Sequence, residues 1–593
     1  MSNLELAKLL RAVAAALEIK YSKNPVNRFR VIAYERAADS VEHSTSEIKD
    51  LWDDGKLDSV PGVGKAIAEH LDSLYKTGRV KDWEELFDGL PPAMFEIMEV
   101  PGIGPKRAYK ISKELGITKA QGAIQKLIKA AEKGRIRELE GMGEQSELQI
   151  LETVKHVQQK SKRYPLHFAQ TVADEVLEYM QKCPQVKKIN TLGSLRRQVA
   201  TIGDVDISVA SDKPKEVIEH FTNYPKKAKL IEAGPTSAAI YVGGGMHVDL
   251  MVQPEKAYGA LLQHFTGSKD HNVALRTLSI KKGLSLSEQG IKRKMANGTW
   301  KMENFQSEED FYRALGMDWV PPEMRENTGE IEAALKHSLP NLVELEDIKG
   351  DLHLHSSFPP NTSHDAGANT PKEMAEEAER LGYEYIALTE HNLKLDESEK
   401  NILDVIKRKG ELIEQYFTQR GRSRENRLQK VFNSLEVDIR PNGELALPDS
   451  AFALLDFVVI AIHSSFRGTR ADQTKRILRS LEYPKVRFLA HPTGRMLGTR
   501  EGIEVDWPKI FEVCVKKNIW LEINSWPERL DLPDTLARDA VKAGVKLVVN
   551  TDAHSKDQME LIRYGVSVAR RAWATKRDII NTLPYSEIKK FLI

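Results

Sequence analysis

A multidomain protein of the α/β and α+β classes is what this sequence predicts, and three observations lead there. Three short glycine turns recur between amphipathic helices in residues 1–160, at spacings near forty. An Asp-x-Asp strand and a further strand with a third aspartate mark the middle of the chain. After residue 350, seven apolar strand-like runs follow one another, six of them ending in His, Asp or Glu. A length of 593 residues also exceeds what one hydrophobic core organises.

Composition excludes several classes. With 29% charged and 41% hydrophobic residues, the chain is globular and neither disordered nor fibrous. Two cysteines, Cys183 and Cys514, rule out a disulfide framework and a cysteine-based zinc site, and they fit a reducing cytosol. Glu5 and Lys8 interrupt the apolar N-terminus, and no run approaches the roughly 18 residues that span a bilayer. The expectation is a cytoplasmic protein without signal peptide or membrane anchor. The net charge of +1 hides an asymmetry: residues 101–200 hold 19 Lys and Arg against 10 Asp and Glu, whereas residues 301–400 hold 9 against 23. One region suits a polyanion and another suits metal cations.

The helical N-terminal part comes first, with Leu6, Leu9, Leu10, Val13 and Leu17 at helical spacing. Its turns read Val60-Pro61-Gly62-Val63-Gly64-Lys65, Val100-Pro101-Gly102-Ile103-Gly104-Pro105-Lys106, and Leu139-Glu140-Gly141-Met142-Gly143-Glu144. A Gly-x-Gly turn opening a helix exposes backbone N–H groups at its positive end, where phosphate can approach, and Lys65 and Lys106 add charge. A lone copy would be read as a helix cap; repetition favours helix-hairpin-helix elements that grip DNA backbone through Gly62, Gly64, Lys65, Gly102, Gly104 and Lys106. The third turn lacks both proline and a nearby lysine and is assigned to packing.

The middle part carries Gly193-Ser194-Leu195-Arg196-Arg197, then Asp204-Val205-Asp206, then His247-Val248-Asp249. Residues two apart on a strand share a face, so Asp204 and Asp206 project together, and an adjacent strand would add Asp249. Oxygen-only clusters suit Mg²⁺ (or Mn²⁺) and two-metal phosphoryl or nucleotidyl transfer. Ser194 and Arg197 would supply a hydroxyl and a guanidinium for phosphate oxygens.

These motifs, with Phe265-Thr266-Gly267-Ser268, Asn272 and Arg276, resemble the family X, polymerase beta-like, DNA polymerases. Asn27-Arg28-Phe29-Arg30, Tyr34-Glu35-Arg36-Ala37-Ala38 and the first two hairpins extend the resemblance over residues 1–325. It implies a nucleotidyltransferase palm and thumb. Asp204, Asp206 and Asp249 would hold the metals, and Gly193, Ser194 and Arg197 would take the triphosphate. Phe265 and Gly267 would lie near the sugar, and Asn272 and Arg276 at the nascent pair. The sequence also departs from the pattern. His70 stands where lyase-active members use a Schiff-base lysine, and Lys65 lies roughly 140° round the helix, so no strong lyase activity is expected. His264 replaces the usual Tyr before Phe265, and His247 an Arg that supports the third aspartate.

In the C-terminal part, the strand ends carry His353 and His355, His391, Glu436, His463, His491, and Asp552 with His554. Strands alternating with helix-length segments, with functional groups at their C-terminal ends, indicate a βα barrel holding a multinuclear metal site. Mixed imidazole and carboxylate ligands suit Mn²⁺, Zn²⁺ or Fe²⁺. Residues 350–593 resemble the PHP domain, a distorted (β/α)7 barrel, whose ligand pattern carries over to those residues. One further ligand falls in the loop 356–367, as Asp365 or, as the other candidate, His364. Thr389-Glu390-His391 replaces the usual Thr-Asp-His, with Glu390 expected beside the ligands and not among them. The resemblance implies a 3′–5′ exonuclease, in some relatives also cutting at abasic sites or removing 3′ phosphates.

The expected domains are therefore two helix-hairpin-helix domains (1–88 and 89–158), palm (159–257), thumb (258–325), an acidic linker (326–348) and the PHP domain (349–593). The expected protein is a monomeric repair polymerase acting on gapped or nicked DNA with dNTPs. Two other readings fit part of the sequence: a DNA-binding scaffold whose only active site is a PHP phosphoesterase, and a small-metabolite phosphatase with the front half merely attached.

Overall fold

The computed structural model of the chain describes residues 3–21, 25–42, 62–98, 103–144, 163–295, 299–394, 396–420 and 428–592, with short pieces at 48, 52, 57, 60, 100, 146–148 and 150–151. Contacts divide the chain into two compact units. One comprises residues 1–162, 272–286 and 292–301, and the other 163–271, 287–291 and 302–593. Among the described residues no helix is long and apolar enough to cross a membrane.

The first unit is helical. Leu6, Leu10, Val13 and Leu17 of helix Asn3–Lys20 are buried in one core with Tyr34, Ala37, Ala38 and Val41 of helix Pro25–Glu42. The three glycine turns share one geometry: Val63 N donates to Val60 O, Ile103 N to Val100 O, and Met142 N to Leu139 O, each at 3.0 Å. In each turn the apolar residue between the glycines is buried, which anchors the turn, and Gly62, Gly64, Gly104, Gly141 and Gly143 are exposed. Gly64 caps helix Lys65–Thr77 and Gly104 caps helix Pro105–Glu114, without any side-chain cap. Pro105 occupies the first helical position, where no N–H is needed.

In the second unit, a five-stranded sheet runs in the order Lys188–Thr191, Val205–Ala210, His247–Gln253, Ser237–Val242, Lys227–Ala233. Val205, Ile207 and Val209 join a core with Ala169, Ala173 and Val176 of helix Leu166–Met180 and Val217 and Phe221 of helix Pro214–Thr222. Period two then sends Asp206 to the opposite face.

Seven parallel strands follow in sequential order: Gly350–Leu354, Tyr385–Leu388, Lys430–Asp438, Phe457–Ala461, Val486–Leu489, Trp520–Asn524 and Leu547–Asn550. A parallel bridge from Leu354 to Ala553 brings the first and last together, so the barrel is nearly closed. Helices separate the strands except between the third and fourth, where only the short turn Asp449–Leu454 intervenes. Leu352, Phe432, Val459, Phe488, Trp520 and Val548 form one apolar cluster with Ile588 and Leu592 of the C-terminal helix.

Residues 326–348, expected as a linker between catalytic domains, are packed within this second unit. The Glu330 carboxylate is buried, accepts from Asn327 N and Thr328 N at 2.8 and 2.7 Å, and meets His271 Nδ1 at 2.7 Å. Val343 is buried, and its carbonyl accepts from Arg570 of helix Ile562–Arg571 at 3.1 Å. Arginines and a histidine of the same unit take up its acidic groups, Glu326, Glu330 and Glu344 among them.

Candidate active sites

The aspartates come together as the strand pattern predicts. Strands Val205–Ala210 and His247–Gln253 pair in parallel with Asp206 opposite Asp249. Asp204, His247 and Asp249 each offer a donor atom within 4.8 Å of the others, and His247 Nδ1 lies 2.8 Å from Asp249 Oδ2. Burial, then the charges of Asp204 and Asp249, push the Asp206 carboxyl up to about 7. Carboxylates that resist ionising beside one another are what a divalent cation relieves, so the donor set fits one.

The glycine turn is fitted to this cluster. Gly193 has φ +57°, and a Cβ there would stand 2.3 Å from Asp206 Oδ2. Ser194 is half-buried beside it on the short helix Gly193–Arg196. Arg197 lays Nη1 on Thr266 O at 2.6 Å and Nε on Glu326 at 3.1 Å. Gly267 leaves the room: a Cβ would meet Arg197 Nη1 at 3.1 Å. Phe265 packs on the Tyr258 and Leu261 cluster, with His264 edge-on to it. Asn272 and Arg276 stand about one turn apart on helix Lys269–Lys281, in the stretch that groups with the first unit.

Sequence reasoning missed the support beneath the turn. Arg196 pairs with Glu308 at 2.6 Å, and the buried Arg325 meets the same carboxylate at 2.7 Å. Burial opposes the Glu308 charge, but Arg325 and Arg196 outweigh it and hold the group at about 2.

In the barrel, Glu436 is central. Its Oε2 lies 3.3, 3.5 and 2.9 Å from His353, His355 and His391, and its Oε1 lies 3.4 and 2.7 Å from His463 and His491. Asp552 Oδ1 stands 3.5 and 3.2 Å from His353 and His355. Asp365 faces His391 and His554 at 3.6 and 3.5 Å, whereas His364 turns to Asp438 at 3.1 Å. The structure thus gathers both loop candidates with the barrel residues: Asp365 faces His391 and His554, and His364 groups with His463 and with Asp438, a carboxylate that sequence reasoning passed over.

Metals fit this set. His353 Nε2, both nitrogens of His355, His391 Nδ1, Glu436 Oε2, His491 Nδ1 and His554 Nε2 are buried without a well-aligned hydrogen bond. Such orphans are rare unless an ion takes them. Burial and the neighbouring imidazoles of His554 and His391 push His355 well down, towards the neutral form that ligates. Around the candidate ligands, the buried Glu522 meets His353 Nδ1 at 2.8 Å and accepts from His491 N at 2.8 Å. Asp438 meets His463 Nδ1 at 2.6 Å. Glu390 stays off the cluster: it accepts from Ser356 Oγ at 2.5 Å and pairs with buried Lys409 at 2.6 Å. A cavity of about 420 Å³ opens over these residues, walled also by Phe466, Arg500, Trp526 and Arg529. Arg500 stacks on Phe466 at 3.9 Å, and among the described residues no carboxylate pairs with Arg529.

In the first unit, Gly62, Gly64, Lys65, Gly104 and Lys106 are exposed at their helix starts, with Lys106 3.4 Å from Glu18. Gly102 lies outside the described residues. His70 is held by Tyr34 at 2.7 Å and Asp82 at 3.3 Å, and Trp83 Nε1 donates to the same Tyr34 hydroxyl.

Comparison with known proteins agrees with this geometry. Family descriptions match in three places: a helix-hairpin-helix domain at residues 1–80, a SAM-like helix-hairpin-helix tandem at 94–155, and the DNA polymerase beta thumb at 261–326. The DNA polymerase/3′-5′ exonuclease PolX of Bacillus subtilis (strain 168) is 32% identical over 594 residues, covering 100% of this chain and 99% of its own length. DNA polymerase lambda of Arabidopsis thaliana is 24% identical over 50% of the chain and 58% of its own length. The probable phosphatase Teth514_1060 of Thermoanaerobacter sp. (strain X514) is 24% identical over 41% of the chain and 93% of its own length. Full-length similarity of this degree, on a fold with both metal-ligand constellations, makes the chain a member of the family X DNA polymerases that carry a C-terminal PHP domain.

Proposed function

We propose that the chain is a DNA-directed DNA polymerase that fills short gaps in repair, and that its barrel is a metal-dependent 3′–5′ exonuclease. It acts as a cytoplasmic monomer on gapped or nicked DNA with dNTPs. The observation that carries the polymerase reading is the parallel register setting Asp206 against Asp249 beneath the Gly193 turn. Asp204, Asp206 and Asp249 would hold Mg²⁺ or Mn²⁺, and the barrel residues would hold Mn²⁺, Zn²⁺ or Fe²⁺; bound there, such ions would supply activation of the attacking oxygen and neutralisation of phosphate charge.

The chain's own residues orient the reactants. Ser194 and Arg197 take phosphate oxygens, and Gly267 keeps a side chain out of their way. In the barrel, Glu522 and Asp438 bind one nitrogen of His353 and His463 and so aim the other. Arg529, which has no carboxylate partner among the described residues, offers its guanidinium to the scissile phosphate. The helix starts at Gly64 and Gly104 hold backbone phosphates without reading sequence.

One gapped duplex, followed for primer extension and degradation with Mg²⁺ and Mn²⁺ compared, tests both halves. Asp206→Ala should abolish extension and spare degradation, and His353→Ala should do the reverse. Extension that survives Asp206→Ala sinks the palm assignment, and an unchanged nuclease in His353→Ala sinks the barrel assignment. The similarity to a probable phosphatase favours a second barrel activity on phosphomonoesters; turnover of a small phosphomonoester against a DNA 3′ end ranks the two.

A further inference from the structure

The barrel reaches the nucleotidyl-transfer turn through one helix. Helix Ile562–Arg571 follows the strand end that carries Asp552 and His554, and its last residue touches the Arg197 turn. Arg571 Nη1 donates to the Arg197 carbonyl at 2.8 Å and to Glu326 Oε1 at 3.0 Å. Its Nε and Nη2 meet Asp534 Oδ2 at 2.8 and 2.7 Å. Arg197 Nε donates to the same Glu326 oxygen at 3.1 Å. One turn earlier, Ser567 Oγ donates to Gln198 Oε1 at 3.1 Å, the residue next to Arg197. Two guanidinium groups therefore share one carboxylate oxygen in a seam where the side chains of Arg197, Glu326 and Arg571 are only 13%, 29% and 8% exposed.

We propose that Arg571 is a positioning residue for nucleotide binding, acting through Glu326 and Arg197. To take a triphosphate, Arg197 must leave Glu326, and a half-buried carboxylate left alone resists that step. Arg571 removes the obstacle because Glu326 keeps a cationic partner when Arg197 moves. Its bond to the Arg197 carbonyl holds the turn in place meanwhile. Asp534 keeps Arg571 from following the phosphates, since two of its three guanidinium nitrogens are engaged there. The hydrolase barrel thereby supports the polymerase's phosphate-binding turn, which gives a physical reason for the palm sheet and the barrel to fall within one compact unit.

This inference rests on the polymerase reading above, so the test measures template-directed dNTP incorporation and exonuclease on the same full-length preparations. Arg571→Ala should raise the dNTP KM about ten-fold, the worth of one charge-assisted bond, with kcat and exonuclease within about three-fold of the parent. Adding Glu326→Gln to Arg571→Ala should restore KM to within about three-fold of Glu326→Gln alone, because a neutral amide does not trap Arg197. A purely structural role predicts the opposite, with the two changes adding. Arg571→Lys keeps the charge but not the three-way reach, so its KM should fall between; it serves if the alanine variant loses exonuclease and hence its fold. Parental KM values in both Arg571 variants, or additive losses in the double variant, overturn the inference and leave the polymerase reading standing. An unmodified chain that incorporates no nucleotide overturns both.

Discussion

Gly193→Ala tests the palm more sharply than deletion of a carboxylate, because it changes geometry and leaves every charge in place. The new Cβ would sit 2.3 Å from Asp206 Oδ2, where real Cβ contacts essentially never fall under 3.0 Å and nine in ten lie beyond 3.4 Å, so the carboxylate or the turn must move by about 1 Å. A displacement of that size costs catalysis on the order of 10²-fold when it falls on a reacting group. The backbone adds its own cost: φ +57° is left-handed, worth about 1–2 kcal/mol against a non-glycine residue. The expected outcome is single-nucleotide incorporation reduced about a hundred-fold in kcat/KM, with barrel exonuclease unchanged and only a modest loss of thermal stability. Incorporation within a few-fold of the parent would refute the reasoning, since Asp206 could not then be held against this turn. A parallel loss of exonuclease would point to unfolding and would equally contradict it.

Alanine at Lys65 or Lys106 should weaken DNA binding alike for all sequences and lower the slope of log affinity against log salt by about 1 each, read by anisotropy titration; an unchanged slope would remove these lysines from the phosphate contacts. Asp438→Ala, which takes the partner from His463 Nδ1, should cost about 10–100-fold in Mn²⁺ affinity of the barrel by calorimetry and leave incorporation intact. Arg529→Ala should lower exonuclease kcat/KM by about 10–100-fold with bound metal unchanged by elemental analysis, because only a charged contact to phosphate is lost. Stability should depend on Glu308 at low pH. Its carboxyl is held at about 2 against an ordinary 4.5, so its contribution is present above pH 4.5 and lost as pH falls through 2. The difference is worth about 3 kcal/mol, and Glu308→Gln should flatten the acid limb of a denaturation profile between those values.

Much of the architecture was legible because it is written in short-range pattern. The apolar residue between two glycines must be buried for the turn to form, and Val63, Ile103 and Met142 are. Period two on Val205–Ala210 separates the core face from Asp206, and the same logic collects ligands at barrel strand ends. Two missed residues carried a usable signal. Asp438 stands two positions after Glu436 on one strand and so shares its face, and Glu522 lies mid-strand between apolar residues, where an unpaired carboxylate would be prohibitively buried. Arg571 offered none: its partner Arg197 is 374 residues away, and an Arg-Arg pair ending a helix reads as a solvated terminus. The partners of the acidic stretch 326–348 were hidden for the same reason, since Arg197, Arg570 and Arg571 lie far from it in sequence.

Those buried charges share a pattern that hydrophobic burial alone does not account for. Arg196, Glu308 and Arg325 lie under the nucleotide turn, Arg197, Glu326 and Arg571 at its edge, and Glu390 with Lys409 behind the barrel ligands. Each pair pays a desolvation penalty of several kcal/mol per ion, and apolar side chains of similar volume would stabilise the fold as well or better. What apolar packing does not supply is direction. A bidentate guanidinium fixes a turn in two dimensions, and a lysine reaching Leu388 O, Ser434 O and Glu390 ties the end of one strand to the middle of its neighbour. Glu390 shows why the longer side chain is accepted where aspartate is usual: its carboxylate bridges Ser356 and Lys409 and leaves His391, next in sequence, to face Glu436. Both candidate sites are thus held by ionic struts set one layer behind the proposed reacting groups, where stability is given up for placement.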